Sequence, residues 1–205
     1  MGLIAQAGII AATAFQTGLP CSQVFKKLAY LAYPASQIEM EESYMDKLAE
    51  SACNTQNPDV IWQIVSIETS FQFRIVRING TAKVLKGQDA ISYLTKLKQK
   101  HINAENVDIG VMQFNYYWHR DSFEKNPLKM LDPSEQVKYL VEDFQPSLEK
   151  MCKGDWIGCY HNPKNGERAR IYLGFVAKSK RILKEKTALL LKDHESNSIP
   201  FRAMS

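Results

Sequence analysis

The spacing of apolar residues along the chain predicts a mainly helical protein. In several long segments apolar side chains recur about every three or four positions, which places them on one face of a helix. These segments are 44–53, 58–68, 89–100, one that opens at Asp132-Pro133, and roughly 168–193. Pro58 and Pro133 each stand in a first helical turn, where a missing backbone N–H removes no intrahelical bond.

One segment departs from this pattern and predicts a β-hairpin. Between Arg74 and Leu85, β-branched residues stand on both sides of Asn79-Gly80, which is a strong signal for a two-residue hairpin turn. Neither an internal repeat nor a Pro/Gly-rich linker divides the 205 residues. We therefore expect one α+β domain that is mainly helical and carries one small hairpin.

The first 25 residues carry no charged side chain. Leu3 to Ala12 form an apolar run of the length found in signal peptides, and Ala12-Thr13-Ala14 offers a small-x-small cleavage site, but no Lys or Arg precedes the run. An export signal and a first helix of the domain both fit this pattern. The expected organisation is an apolar segment at 1–25, a domain at 26–195 and a tail at 196–205.

Composition and charge exclude several classes of protein. With 45% hydrophobic and 23% charged residues, the chain is neither disordered, collagen-like nor a multi-span membrane protein. A net charge of +4 mildly favours acidic partners such as wall polymer. The lysines near the C-terminus are spread over a helix rather than interleaved with aromatic residues, so nucleic acid is not an expected partner.

The cysteines indicate a compartment but not a pairing. An even count of 4 suits an oxidising environment, and the sequence leaves all three possible pairings open. Cys152, Cys159 and His161 lack the paired C-x-x-C spacing of a closed zinc site. We expect no metal.

Glu68 is the most informative single residue. It continues the apolar stripe of Ile61, Ile64 and Val65, which places its carboxyl on the inward face at the C-terminal end of a helix. Burial and the negative end of the helix dipole both favour a protonated carboxyl, which could act as a general acid. A glutamate turned to solvent at a frayed helix end is the alternative.

Three motifs follow one another in the order of a known family. The chain reads Glu68-Thr69-Ser70-Phe71, then Asp108-Ile109-Gly110-Val111-Met112-Gln113-Phe114-Asn115, and then Tyr160-His161-Asn162. Over residues 45–175 this order resembles the soluble lytic transglycosylase domain of the lysozyme superfamily, and most of all the small transglycosylases of type IV secretion and conjugation systems. That family reads Glu-Ser-x-Phe, Asp-Val-Gly-Leu-Met-Gln-Ile-Asn and Tyr-Asn or Tyr-His-Ser. Its common Tyr-Asn-Ala-Gly ending is absent here.

The resemblance implies a role for each matching residue. Glu68 would be the catalytic acid and later the base, and Tyr160 would stand across from it, its hydroxyl able to orient the carboxyl or the substrate. The substrate-binding residues would be Ser70, Gly110, Met112, Gln113, Asn115, Tyr160 and Asn162. Asp108 is the obvious second carboxylate, although an aspartate before a glycine turn more often caps that turn.

The implied activity is cleavage of peptidoglycan between N-acetylmuramic acid and N-acetylglucosamine, with formation of a 1,6-anhydro sugar. The resemblance implies a lysozyme-like fold, a periplasmic or exported monomer, no cofactor, and wall opening for a secretion or conjugation apparatus. Two alternatives remain: a hydrolase of lysozyme type, and a non-catalytic wall-binding scaffold.

Overall fold

A computed structural model describes residues 8–33, 42–100, 102, 105–152, 155–160 and 166–198. Within these residues the chain forms nine α-helices and four short β-strands. The helices are α1 (Ile9–Thr17), α2 (Cys21–Ala32), α3 (Glu42–Cys53), α4 (Pro58–Glu68), α5 (Gly87–Gln99), α6 (Tyr116–His119), α7 (Pro133–Tyr139), α8 (Gln145–Met151) and α9 (Gly166–Ser198). The strands are β1 (Ile75–Ile78), β2 (Val84–Lys86), β3 (Val107–Ile109) and β4 (Phe114–Asn115). Single 3-10 turns occur at Arg120–Phe123, Lys129–Leu131 and Trp156–Cys159.

The predicted helices are all present, in α3, α4, α5, α7 and α9. The Asp132 side chain caps α7 by accepting a hydrogen bond from the Ser134 N–H at 2.9 Å. This helix then widens into one π-helical turn, Leu140–Phe144, before α8 begins. Pro146 has no N–H to give to the carbonyl four residues back, so the regular α-helical ladder cannot run unbroken through this region.

The predicted hairpin is confirmed, and it belongs to a larger sheet. β1 and β2 pair in antiparallel register, with Val76 opposite Leu85. β3 pairs with the other edge of β1, and β4 pairs with β3, so the strand order is β2-β1-β3-β4. We had not predicted β3 and β4, which are only three and two residues long. The fold is α+β and mainly helical, with one small antiparallel sheet.

The core lies where α2, α3 and α4 pack together. Phe25, Trp62 and Phe71 are fully buried there, and the ring of Phe71 lies 5.4 Å from that of Trp62 and 6.2 Å from that of Phe25. A disulfide between Cys21 and Cys53 joins the start of α2 to the end of α3. A second disulfide, Cys152–Cys159, joins the end of α8 to the 3-10 turn that follows. Disulfides persist in oxidising compartments, so both are compatible with an exported protein.

Part of the apolar N-terminal segment forms α1 and packs on the rest of the domain. Ile10 and Thr13 are buried, and the backbone N–H groups of Ile9 and Ile10 donate to the Asp59 carboxylate at 2.6 and 2.9 Å. Asp59 therefore satisfies the open N-terminus of α1 from the first turn of α4. No helix in the described ranges is both long and apolar enough to cross a membrane.

Candidate active site

Glu68 ends α4 and faces inward, as its apolar stripe predicts. Ile61, Ile64 and Val65 are buried, and Glu68 itself is only 7% exposed. Thr69, the next residue, donates from its hydroxyl to the Val111 carbonyl at 3.0 Å. The carboxyl is thus held inside the fold and beside the central motif, rather than turned to solvent at a frayed helix end.

Tyr172 contacts this carboxyl directly. Its hydroxyl donates to Oε1 of Glu68 at 2.7 Å, and the pair is buried. Burial, and then the nearby Glu68, raise the pKa of Tyr172 well above its usual value, so the phenol stays protonated and donates. Sequence reasoning missed this residue. Tyr172, Ser179, Leu183 and Leu190 are buried at spacings of about 7, 4 and 7, which is the inward stripe of α9.

The central motif forms a tight turn between β3 and β4. Gly110 has φ +78°, a conformation that L-residues rarely adopt, and its N–H donates to the Ile75 carbonyl at 2.9 Å. Gln136 of α7 is fully buried and fixes this turn. Its Oε1 accepts from the Met112 N–H at 2.8 Å, and its Nε2 donates to the carbonyls of Ile109, at 2.8 Å, and of Met130. Gly110 and Met112 thus shape the turn, and Met112 is buried.

Gln113 and Asn115 present amide groups beside this turn. Gln113 is 4% exposed, has φ +54°, and donates from Nε2 to the Gly110 carbonyl at 2.8 Å. Asn115 donates from Nδ2 to Oδ1 of Asp108 at 2.8 Å and to Oδ1 of Asn106 at 2.7 Å. Oε1 of Gln113 and Oδ1 of Asn115 are buried and have no partner among the described residues. Two buried acceptors beside the turn therefore have no hydrogen-bond donor within the described ranges.

Asp108 does not cap the glycine turn. Its Oδ1 accepts from Nδ2 of Asn115 and, at 2.9 Å, from Nδ2 of Asn79 in the hairpin turn. The carboxylate ties the hairpin to β4, because Asn79 follows β1 and Asn115 ends β4.

Tyr160 is buried between the central turn and Tyr172. Its hydroxyl donates to the Met112 carbonyl at 2.8 Å, and its ring stacks on that of Tyr172, with centroids 5.8 Å apart and planes at 18°. Burial, and then the nearby Glu68, raise the pKa of Tyr160 well above its usual value. We expected the Tyr160 hydroxyl to be able to orient the Glu68 carboxyl or the substrate. In the structure it donates to Met112, and the hydroxyl that donates to Glu68 is that of Tyr172.

These residues border a cleft of about 350 Å³. Asn79, Asp108, Gln113, Asn115 and Tyr160 line it together with Trp118, His119 and Arg168. Trp118 is 76% exposed and was not predicted as a site residue. Glu68 does not itself line this cleft, and it is joined to the cleft wall through the stacked rings of Tyr172 and Tyr160.

His119 is a structural part of the cleft wall. It lies among the rings of Phe114, Tyr139 and Phe144, and its Nδ1 is 2.8 Å from the Tyr139 hydroxyl. Burial lowers the pKa of His119 to about 4, so the ring is neutral at physiological pH.

Besides Glu68, the predicted site residues Ser70, Gly110 and Met112 do not line this cleft. Ser70 lines a separate cavity of about 320 Å³ with Tyr33, Ser66 and Ser179. Its backbone has φ +52° at the bend after α4. Asn162, like His161, lies outside the described residues.

In the described ranges, no cluster of three or more His, Cys, Asp or Glu side chains has the arrangement of a metal site. Cys152 and Cys159 are joined to each other and so are not free to bind zinc as thiolates.

Comparisons of the chain with protein-family models, with curated proteins and with solved structures found no match. The function must therefore be argued from the motifs and from the geometry around Glu68.

Proposed function

We propose that this protein is a peptidoglycan lytic transglycosylase with a lysozyme-like fold. The observation that carries the proposal is the setting of Glu68: a buried carboxyl at a helix end that is held by the Tyr172 hydroxyl and joined through Tyr172 and Tyr160 to the wall of a polar cleft. Burying a carboxyl costs free energy, so a glutamate that a fold keeps inside beside a polar cleft wall is a candidate for chemistry.

Glu68 is the general acid of the proposed reaction. It gives its proton to the oxygen that links N-acetylmuramic acid to N-acetylglucosamine, and the bond from that oxygen to the muramic anomeric carbon breaks. The N-acetyl group of the substrate stabilises the positive charge that develops on this carbon, so no second protein carboxylate is required as a nucleophile. Tyr172 is a positioning residue that fixes the carboxyl through Oε1.

The same carboxylate is the base of the second step. It takes the proton from the C6 hydroxyl of the muramic residue, and that oxygen bonds to the anomeric carbon. The product ends in a 1,6-anhydro ring, Glu68 regains its proton, and no water is consumed. The proposed mechanism uses no metal and no organic cofactor.

The cleft supplies the groups that a glycan needs. The buried acceptors on Gln113 and Asn115 match the hydroxyl and N-acetyl N–H donors of amino sugars. The exposed indole of Trp118 offers a flat apolar surface to a sugar ring at the rim. A ligand that donates hydrogen bonds would satisfy two atoms that are otherwise buried without partners.

We also propose that the protein is exported and acts as a monomer on wall glycan for a secretion or conjugation apparatus. Two disulfides support an oxidising compartment. The net charge of +4 suits an anionic wall.

A hydrolase of lysozyme type is the second candidate function, because Asp108 lines the same cleft as Gln113 and Tyr160. A scaffold that binds the wall without cutting it is the third. The scaffold is less consistent with the buried Glu68, since binding alone gives no reason to desolvate a carboxyl.

Digestion of purified peptidoglycan in water labelled with oxygen-18 separates the three functions. A transglycosylase releases muropeptides that end in anhydro sugar, and these contain no label. A hydrolase releases reducing ends that carry the label. A scaffold releases nothing, although it still cosediments with the wall.

A further inference from the structure

A second cavity lies at the opposite end of α4 from Glu68. It has a volume of about 500 Å³, within the range of small-molecule sites. The connection between α3 and α4 forms one wall, and α8 with the Trp156 turn forms the other. Its lining reaches Ile61 of α4, seven residues before Glu68, which is about 10 Å along the helix at 1.5 Å per residue.

The chemistry of this cavity differs from that of the surrounding surface. Every described residue that lines it is uncharged, in a chain of which 23% is charged. Four of these residues carry side-chain amides, and two carry rings. They are Asn54, Gln56, Asn57, Gln145, Trp156 and Pro146. An uncharged lining of this kind gives no attraction to phosphate, nucleic acid or acidic peptide.

Asn57 lines the cavity and does not cap its helix. Asn57 is the N-cap residue of α4, a position where asparagine usually accepts a hydrogen bond from the first turn, yet it makes no such bond. It is exposed and lines the cavity instead. The stabilisation that this cap would supply is absent, which is the expected pattern when a side chain is retained for a ligand.

Trp156 is held firmly in place. It opens the 3-10 turn Trp156–Cys159, which the Asp155 side chain caps by accepting from the Ile157 N–H at 3.2 Å. The Cys152–Cys159 disulfide closes the segment that contains it. A rigid ring loses little conformational freedom when a ligand stacks on it.

We propose that this cavity is a second carbohydrate site, which binds an uncharged N-acetylhexosamine oligosaccharide. Amide groups both donate and accept, as sugar hydroxyls and N-acetyl groups do, and the indole of Trp156 offers an apolar face for a sugar ring. The site goes beyond the proposed function because it needs no chemistry at Glu68. It would hold a glycan strand at a distance from the point of cleavage.

The indole N–H signals of the full chain provide the test. The protein has 3 tryptophans, of which Trp62 is fully buried, Trp118 lines the cleft and Trp156 lines the second cavity. Each signal is assigned with a single Trp→Phe variant. Tetra-N-acetylchitotetraose is then titrated into the Glu68→Gln protein, so that the probe cannot be cleaved, and the three signals are followed by NMR.

We expect the Trp156 signal to shift and saturate, whether or not the Trp118 signal also moves. In the Asn54→Ala/Gln56→Ala protein, the affinity reported by Trp156 should fall at least about tenfold, the scale of one or two lost hydrogen bonds. The Trp118 curve should not change. Gln99→Ala removes an exposed amide at the end of α5 and should leave both curves as they are.

A Trp156 signal that stays fixed overturns the proposal, and so does a Trp156 curve that the double substitution leaves unchanged. The outcome is independent of the catalytic proposal. Binding at Trp156 can be found in a protein that fails the digestion test, and a protein that passes that test can lack it.

Discussion

The hydroxyl of Tyr172 donates to Oε1 of Glu68 at 2.7 Å, across 104 positions of sequence. This bond joins the long helix α9 to the end of α4, and it orients the carboxyl on which the proposed chemistry depends. The stacked ring of Tyr160 connects the same pair to the cleft. Tyr172 is accordingly the residue whose removal tests the geometry without removing the acid itself.

Tyr172→Phe should lower kcat and leave KM nearly unchanged. The variant keeps the ring and its stacking on Tyr160 but loses one hydrogen bond to an ionisable group, which is worth about 1.5–3 kcal/mol, or about 10- to 100-fold in rate. Release of muropeptides over time at several peptidoglycan concentrations measures both constants.

The control for this prediction is Tyr30→Phe. Tyr30 is 40% exposed on α2, so loss of its hydroxyl should change neither constant. Equal activity of Tyr172→Phe and the unaltered protein would show that the Glu68 contact has no part in catalysis.

The sequence predicted the helix that carries Glu68, and the inward direction of that residue, because both follow from local spacing. The hairpin followed from Asn79-Gly80 in the same way. Tyr172 could not be found by such reasoning, since its partner is far away in the chain and charged residues are spread along α9. Its buried stripe has one inward residue about every four to seven positions, too sparse to stand out.

The strands β3 and β4 illustrate a second limit. They contain only three and two residues, and they exist because β1 offers an open edge and Gln136 fixes the turn between them. Neither cause is local. Ser70 lines a separate cavity with Tyr33 and Ser66, and this placement depends on how distant segments pack, which the motif order alone does not give.

Gly110→Ala should unfold the central turn. A Cβ there would overlap Nε2 of Gln136 and lie 2.5 Å from the Met130 carbonyl, at a φ of +78°. We expect a loss of about 2–4 kcal/mol in the free energy of unfolding, measured with urea, because buried backbone or Gln136 must move.

Gly80→Ala is the matched control. Gly80 has φ +80°, but a Cβ at this position would meet nothing within 4 Å. Only the conformational cost remains, about 1 kcal/mol. Similar losses in the two variants would mean that the contact between Gly110 and Gln136 does not constrain the turn.

His119 should make the folded protein sensitive to acid. Its pKa is about 4 in the fold and 6.5 for the free side chain, so between these values the unfolded chain binds a proton that the folded chain does not. The contribution of neutral His119 to the free energy of unfolding is fully present above pH 6.5. It is lost as the pH falls towards 4, and the loss is about 3 kcal/mol in total.

Urea unfolding at pH 7 and at pH 4.5 measures this effect, with His119→Phe as the comparison. Phenylalanine fits among Phe114, Tyr139 and Phe144 and does not titrate. All other groups contribute equally to both proteins, so the variant should lose less stability between the two pH values. An identical loss of stability in both proteins would show that His119 is not the source of the acid sensitivity.

Loss of one disulfide should mainly lower stability, and loss of the other should mainly lower activity. Cys21 and Cys53 are 32 positions apart, whereas Cys152 and Cys159 are 7 apart. From loop length alone, replacing Cys21 and Cys53 with serine should cost about 4 kcal/mol of stability, and replacing Cys152 and Cys159 should cost about 2.5 kcal/mol.

The effect on activity should run the other way. The shorter loop ends next to Tyr160, so loss of the Cys152–Cys159 disulfide should reduce activity more in spite of its smaller cost in stability. Thermal unfolding measures the loss of stability in both serine variants, and muropeptide release measures the loss of activity. A larger loss of activity in the Cys21/Cys53 variant would contradict the prediction.

The most direct test of the account compares muropeptides released by the unaltered protein and by Glu68→Gln, using mass spectrometry on purified peptidoglycan. Glutamine keeps the shape of the side chain and can still accept from Tyr172, but it has no acidic proton. The account predicts anhydro-muramyl products from the unaltered protein and a rate about 10²- to 10⁴-fold lower from a variant with an unchanged unfolding temperature. Equal release of the same products by both proteins would contradict it.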